Sequence, residues 1–276
     1  MYADDLVITY AHTNVIILQE NLNHILKILN SYMENNGLVI NKNKTKFLCF
    51  ANRNKIINPH HLNIKITDYN IEKVNAIKFL GVTFDDNLHW NKHIDDVALS
   101  LAKYTGINKK IQAFLSTSLL KQLYHTCIES RIRYGIAVWG TASLYAVNKL
   151  QIAQNRYMRS IYNLNFMESV SKLYRTENID KISDIYKKQI LLEGFKYIKE
   201  KKENSFLGIG ISECRKSTRD TRIIREYSLP IVKLEVGRSA LIFQLIFYWN
   251  SLYNNLRNIL SYEIFRKNVK KPEKKT

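Results

Sequence analysis

Two adjacent acids, Asp4 and Asp5, stand almost at the first residue in the string MYADDLVITY. Carboxylate oxygens suit hard divalent cations, and a tight turn between two strands would hold such side chains at one fixed spot. Two cations roughly 3.5–4 Å apart are what transfer of a nucleotidyl group needs, one to activate the attacking hydroxyl and both to stabilise the charge that builds at phosphorus. Carboxylates from at least two strands must meet to hold that pair, and here only Met1 precedes the tyrosine. Taken alone, Asp-Asp beside an apolar run is more often an ordinary turn, because acids favour turns in any case.

The elements that would position these acids are legible nearby. LVITYA at 6–11 is β-branched and apolar, and reads as a strand. From Thr13 to Asn36 the residues Val15, Leu18, Leu22, Ile25, Leu29 and Met33 recur at steps of three or four, one face of a helix that Asn36-Gly37 would end. Short β-prone runs follow at 38–41, 45–51, 62–67 and 77–84, separated by Asn, Asp and Pro signals. Beyond Trp90 helical periodicity takes over, at about 91–114, 116–133, 144–164 and 180–202. The expected fold class is α+β, a mixed first part followed by a nearly all-α one. On the third of these helices Val147, Leu150, Ala153, Tyr157 and Ile161 form a core stripe, and Lys149, Arg156 and Arg159 share another side. That side is either a solvated face or a track for backbone phosphates. The segment 199–225 reads as an irregular connection, followed by a strand near 228–234, a buried helix around 239–252 and a tail, KNVKKPEKKT, too charged to pack.

Charge narrows the partners. The net charge is +18. Residues 1–100 hold ten basic and ten acidic side chains, so the whole excess, 32 against 14, lies in residues 101–276. Such a field attracts a polyanion through counterion release. The three cysteines, Cys49, Cys127 and Cys214, form no CxxC pair, which argues against a zinc knuckle or a disulfide framework and fits a reducing, intracellular compartment, nuclear or cytoplasmic. No basic-then-apolar leader opens the chain, and the longest apolar stretch, ALIFQLIFYW, falls short of the roughly 20 residues that span a bilayer. His89 and His93 stand at i and i+4 with no third ligand, His60-His61 lie in a loop with no cysteine nearby, and Trp139 and Trp249 sit among apolar neighbours as core anchors.

The motifs decide between these options. Tyr2-Ala3-Asp4-Asp5, then Gly37-Leu38 with Asn41, Lys44 and Thr45, then Phe79-Leu80-Gly81-Val82 followed by Leu88, Trp90, His93 and Ile94, stand in an order and at spacings that resemble three successive palm motifs. The family is the reverse transcriptases of non-LTR retrotransposons, jockey-like in particular. Further on, Arg131 to Gly135 with Trp139-Gly140 resemble the family's helical thumb, and Thr221-Arg222, Gly237-Arg238-Ser239 and Trp249 to Leu252 resemble its C-terminal region.

The resemblance implies a partial palm at 1–89, an α-helical thumb-like domain at 90–202, and a basic connector with a C-terminal region at 203–276. It makes Asp4 a Mg²⁺ ligand with Asp5 its partner acid, and Lys44 the group that steadies or protonates the pyrophosphate leaving group. Tyr2 and Ala3 would sit near the primer end and the paired template. Phe79, Leu80 and Gly81 would form the primer-grip turn, where a glycine lets backbone approach the primer closely. The implied partners are an RNA template, a DNA primer and deoxynucleotides. An upstream aspartate and the nucleotide-holding fingers, which precede YADD in the family, are not in this sequence, so Met1 reads as an internal methionine and the chain is expected to be inactive alone. The alternatives of another class are a non-enzymatic, basic nucleic-acid-binding remnant and a domesticated scaffold.

Overall fold

The computed structural model describes residues 5–50, 62–200, 227–231 and 240–269. The chain divides into two compact units, Met1–His89 and Trp90–Thr276.

Among the described residues the first unit is built on one helix, α1 (Val15–Asn35). Asn14 caps it by accepting hydrogen bonds from the N–H groups of Ile16 and Ile17, and Gly37, with φ of 70°, takes the left-handed conformation that ends it. Six short strands follow among the described residues: β1 (Lys46–Phe47), β2 (Lys65–Ile66), β3 (Tyr69–Asn70), β4 (Glu72–Lys73), β5 (Ala76–Phe79) and β6 (Val82–Asp85). Among the described residues they pair two by two, β1 parallel to β4, β2 antiparallel to β3 and β5 antiparallel to β6. The core is small: Leu26 of α1 packs with Ile64, Ile66 and Ile71, and Ile8, Leu22, Ile40, Phe47 and Leu62 close around them. Polar side chains fix the helix to the strand edge. The Gln19 carboxamide accepts from Asn63 N–H at 2.7 Å, and Asn23 accepts from Lys65 N–H at 2.9 Å while donating to the Asn63 carbonyl at 3.2 Å.

Two expectations about this unit are corrected. Residues 6–11 form no strand; Leu6 and Val7 are 41% and 52% exposed, and a β-prone run without a laddered neighbour leaves its backbone groups to water. The run at 38–41 is likewise irregular, and those at 45–51 and 62–67 shorten to two residues each among the described residues. The stripe foreseen on α1 is only half-buried throughout; the fully buried positions are Leu26 and Asn30, a slight rotation of the same face.

The second unit is helical: α2 (Asn91–Ile111), α3 (Thr117–Leu123), α4 (Ser130–Arg133), α5 (Ile136–Trp139), α6 (Leu144–Ile161), α7 (Ser171–Thr176), α8 (Ile182–Glu200), α9 (Leu241–Asn250), α10 (Asn254–Arg257) and α11 (Tyr262–Val269). Between α3 and α4 the helix continues through a wide π-helical segment, Tyr124–Glu129. The reason is in the spacing. Leu120, Tyr124, Ile128 and Ile132 recur every four residues and all are buried. A step of four overshoots a 3.6-residue turn by about 40°, so three steps would carry the last side chain out of the core; a widened turn absorbs the drift.

α2 and α6 pack along one another through a partly polar seam. Asn108 donates to Ser160 Oγ at 2.9 Å and accepts from the Tyr157 hydroxyl at 3.3 Å. This explains why the buried face of α6 is Ala146, Leu150, Gln154, Tyr157, Met158, Ser160 and Ile161, shifted from the foreseen stripe by polar residues that find partners inside. The foreseen helix at 116–133 contains the π-helical segment, and α7 lies between the foreseen helices at 144–164 and 180–202, where no element was expected. A second core joins residues far apart in sequence: Leu191, Leu192 and Phe195 of α8 pack with Tyr227, Ile246, Trp249, Leu252 and Phe265. The rings of Phe195 and Phe265 stack at 4.6 Å, and the Asn250 side chain pairs with both backbone groups of Tyr227. Thus the helices on either side of residue 202 share one apolar interior. Of the tail, only 267–269 is described, and there Val269 packs against this core at the end of α11, contrary to expectation, while 270–276 lie outside the described residues. Residues 228–231 are irregular rather than strand, and the remainder of that segment lies outside the described residues.

Candidate functional site

Tyr2, Ala3 and Asp4 lie outside the described residues, as do His60-His61. Asp5 is exposed and sits in an isolated β-bridge. Lys44 belongs to a loop that Asn41 organises: the Asn41 carbonyl accepts from Lys44 N–H at 3.1 Å, from Thr45 N–H at 3.0 Å and from the Thr45 hydroxyl at 2.9 Å. Its side-chain Oδ1 accepts from Lys44 N–H as well, at 3.1 Å. The backbone under Lys44 is therefore fixed while the residue stays exposed. The same loop borders an open depression of about 580 Å³ lined by Val39, Lys42, Asn43 and Tyr69, with the Tyr69 hydroxyl donating to Asn43 at 3.2 Å.

The hairpin of β5 and β6 has a defined tip. Phe79 pairs with Val82, which leaves Leu80 and Gly81 as the two loop residues. Both have left-handed φ, 44° and 79°, the signature of a type I′ turn whose twist matches that of the strands it joins. Leu80 and Gly81 are exposed, Phe79 is half-buried and Val82 is buried.

A pair of divalent cations would need carboxylates converging from separate segments. Among the described residues no group of three or more His, Cys, Asp or Glu side chains is placed to hold a metal ion. The described residues therefore do not make such a cage by themselves. That holds for zinc too: the His93 ring is buried and lies 5.5 Å from the Trp139 ring, tilted by 56°.

In the helical unit the three cations foreseen on one side of α6 separate. Lys149 is exposed, and its ammonium is engaged by Asp95 of α2, whose hydrogen bond raises the lysine pKa. Arg156 is exposed and makes no ion pair among the described residues. Arg159 turns toward the loop after α6, where its Nε donates to the Glu168 carbonyl at 2.9 Å and its guanidinium lies 5.7 Å from the centre of the Phe166 ring. Arg131, from the R-x-R-Y-G string, donates to the Tyr104 hydroxyl at 2.8 Å and stacks over that ring at 5.0 Å. Trp139 and Trp249 are fully buried anchors, and Trp139 donates from its indole N–H to the Tyr134 carbonyl at 2.9 Å.

Two constellations went unread in the sequence. The first is an ionic chain: His125 and Arg133 both engage Glu129, Arg133 approaches Asp180 at 4.0 Å, and Asp180 accepts from Lys188 at 2.6 Å. Burial alone would raise the Glu129 pKa, but the hydrogen bonds from Arg133 and His125 overcome it and hold the carboxyl below its ordinary value. The i, i+4 spacing of His125, Glu129 and Arg133 was the available signal. The second is a cavity bordered by Gly140, Tyr186 and Tyr248, whose members are separated by 40 residues and more and carry no short-range signal.

Residues 1–84 match the family model described as reverse transcriptase (RNA-dependent DNA polymerase). Over 186 residues the chain is 25% identical to a probable RNA-directed DNA polymerase from transposon BS of Drosophila melanogaster, an alignment that covers 66% of this chain and 20% of that protein. It is 23% identical to the probable RNA-directed DNA polymerase from transposon X-element and 24% identical to the RNA-directed DNA polymerase from mobile element jockey of the same organism, with the same shares covered. The chain thus spans about a fifth of the length of the curated relatives it matches. No solved structure matches it significantly. Among the described residues no helix is long and apolar enough to cross a membrane.

Proposed function

We propose that this chain forms the end of the palm, a helical thumb and the C-terminal region of an RNA-directed DNA polymerase of a non-LTR retrotransposon. The whole enzyme would extend a DNA primer on an RNA template with deoxynucleotides. One observation carries the reading: the three motifs run in order from Tyr2-Ala3-Asp4-Asp5 to Phe79-Leu80-Gly81, inside the 84 residues that match the reverse-transcriptase model. The break between compact units after His89 supports a palm of 1–89. The thumb at 90–202 and the C-terminal region at 203–276 rest on the motifs alone, since residues from both share one apolar interior.

Asp4 and Asp5 are the carboxylates this chain would contribute to a Mg²⁺ pair, whose role when bound is to activate the primer hydroxyl and offset charge at phosphorus. The described residues do not complete that site. Lys44, on its fixed loop, is the cation for the leaving pyrophosphate. The exposed Leu80-Gly81 tip is the primer contact, and Arg156 is a contact to backbone phosphate with Lys149 and Arg159 beside it, both partly committed to intramolecular partners.

The test has two arms. The purified chain is assayed for template-dependent deoxynucleotide incorporation, and none is expected. A chimera in which the chain replaces the matching stretch of the jockey polymerase should polymerise, and Asp4→Ala should reduce its rate by at least about a hundredfold. Undiminished incorporation by that variant would overturn the assignment.

A further inference from the structure

The outward side of α6 carries more than cations. Tyr145, Lys149, Ile152, Arg156 and Arg159 follow one another at steps of four, three, four and three residues, which keeps them within an arc of about 80° along about 21 Å of helix. Leu150, Gln154, Tyr157 and Ile161 are buried on the opposite side. Tyr145 is 79% exposed and Ile152 51%, so apolar surface alternates with charge along the stripe. A helix face that served only solubility would carry polar side chains at those positions.

The stripe ends at an aromatic ring that the chain holds out into solvent. Phe166, 69% exposed, stands in a loop braced on both sides of it. Asn165 N–H donates to the Glu168 carboxylate at 2.7 Å, Glu168 N–H donates to the Asn165 carbonyl at 3.1 Å, and Arg159 Nε donates to the Glu168 carbonyl at 2.9 Å. The Arg159 guanidinium lies over the ring, 5.7 Å from its centre, and the exposure of the residue leaves the other face open. Both acids beside the stripe are engaged, Asp95 by Lys149 and Glu168 by Asn165 N–H. The Lys149–Asp95 pair is half exposed on each side, so a phosphate can displace the carboxylate there. Arg156, midway, is exposed.

Cations in a row suit the phosphates of any nucleic acid. The rings discriminate. Inside a duplex the base faces are stacked on one another, and an aromatic side chain on the outside finds no face to stack on. An unpaired strand offers phosphates and free base faces together, which is what a surface that interleaves charge with rings can hold.

We propose that this side of α6, with the loop 162–170, holds an unpaired single strand rather than a duplex, its phosphates on Lys149, Arg156 and Arg159 and its bases stacked on Phe166 and Tyr145. The inference rests on reading α6 as a nucleic-acid contact, though not on Asp4 or on polymerisation.

Fluorescence anisotropy of the full chain at low salt, with oligouridine, oligothymidine, an abasic strand and an RNA–DNA hybrid of equal length, tests it. Phe166→Ala should weaken binding of both oligopyrimidines about five- to tenfold, and Tyr145→Ala should weaken it by a smaller factor. Neither should change binding of the abasic strand or the hybrid, and the tighter of the two oligopyrimidines identifies the strand as RNA or DNA. Phe166→Trp, which keeps a ring, should bind as the wild type does. Each variant should keep the wild-type Tm, since both rings are exposed. Undiminished oligopyrimidine binding when Phe166→Ala and Tyr145→Ala are combined, the result if a partner protein covers the stripe instead, overturns the inference and leaves the polymerase reading standing. An equal loss on the hybrid does the same. Binding of no probe by the wild type overturns both.

Discussion

Leu80 holds a backbone conformation that suits glycine and asparagine better, since a left-handed φ costs an L-residue with a branched side chain roughly 1–2 kcal/mol. It recovers little of that by burial, being 38% exposed at the tip of its hairpin. Replacing it with Asn should therefore raise unfolding free energy by about 0.5–1 kcal/mol, read as an upward shift in the urea midpoint. If the tip contacts the primer, the same Leu80→Asn change weakens primer-template binding. A variant that is both less stable and tighter-binding would contradict both halves. Gly81, at φ of 79°, is the residue this turn requires, and its presence beside a leucine is what made the hairpin legible as a motif although not as a strained one.

Elements were legible where their periodicity was strong and illegible where tertiary partners decide. α1, α2, α6 and α8 follow directly from apolar spacing and end close to the expected residues. The strands fared worse, because Leu6, Val7, Leu38 and Val39 are β-prone by type yet exposed, and a strand exists only if another lies beside it. Asp4 was read from its neighbours in sequence, whereas the commitments of Lys149 to Asp95 and of Arg159 to Glu168 depend on contacts that helical spacing does not reveal. The His125–Glu129–Arg133 cluster permits a pH test. Glu129 ionises below the ordinary value of 4.5, so its stabilisation is complete above that value and is lost as pH falls through the lower folded-state pKa. Glu129→Gln should cost about 1–3 kcal/mol at neutral pH, and the difference from wild type should shrink steadily below pH 4.5 in urea melts. A gap that stays constant down to pH 3 would remove the carboxylate from this role.

At the scale of the molecule, the two units differ in how much they bury. The first closes a small core around Leu26, while the second has two buried seams and all three tryptophans, Trp90, Trp139 and Trp249, each of them buried. Tryptophan fluorescence therefore reports the second unit alone, whereas far-ultraviolet dichroism reports both. On heating, dichroism should begin to change at a lower temperature than fluorescence, and superimposed curves would mean one cooperative unit instead. The π-helical segment from Tyr124 to Glu129 bears on how this unit tolerates change in length. An excision of one codon there would leave a regular helix whose two ends stay in phase, since steps of four, three and four residues bring Ile132 back to within about 20° of Leu120. Straightening the turn with every residue kept would instead clock Ile132 by about 100° away from the core and take Arg133 from Asp180, so the irregular turn is what keeps the two ends of this helix in phase.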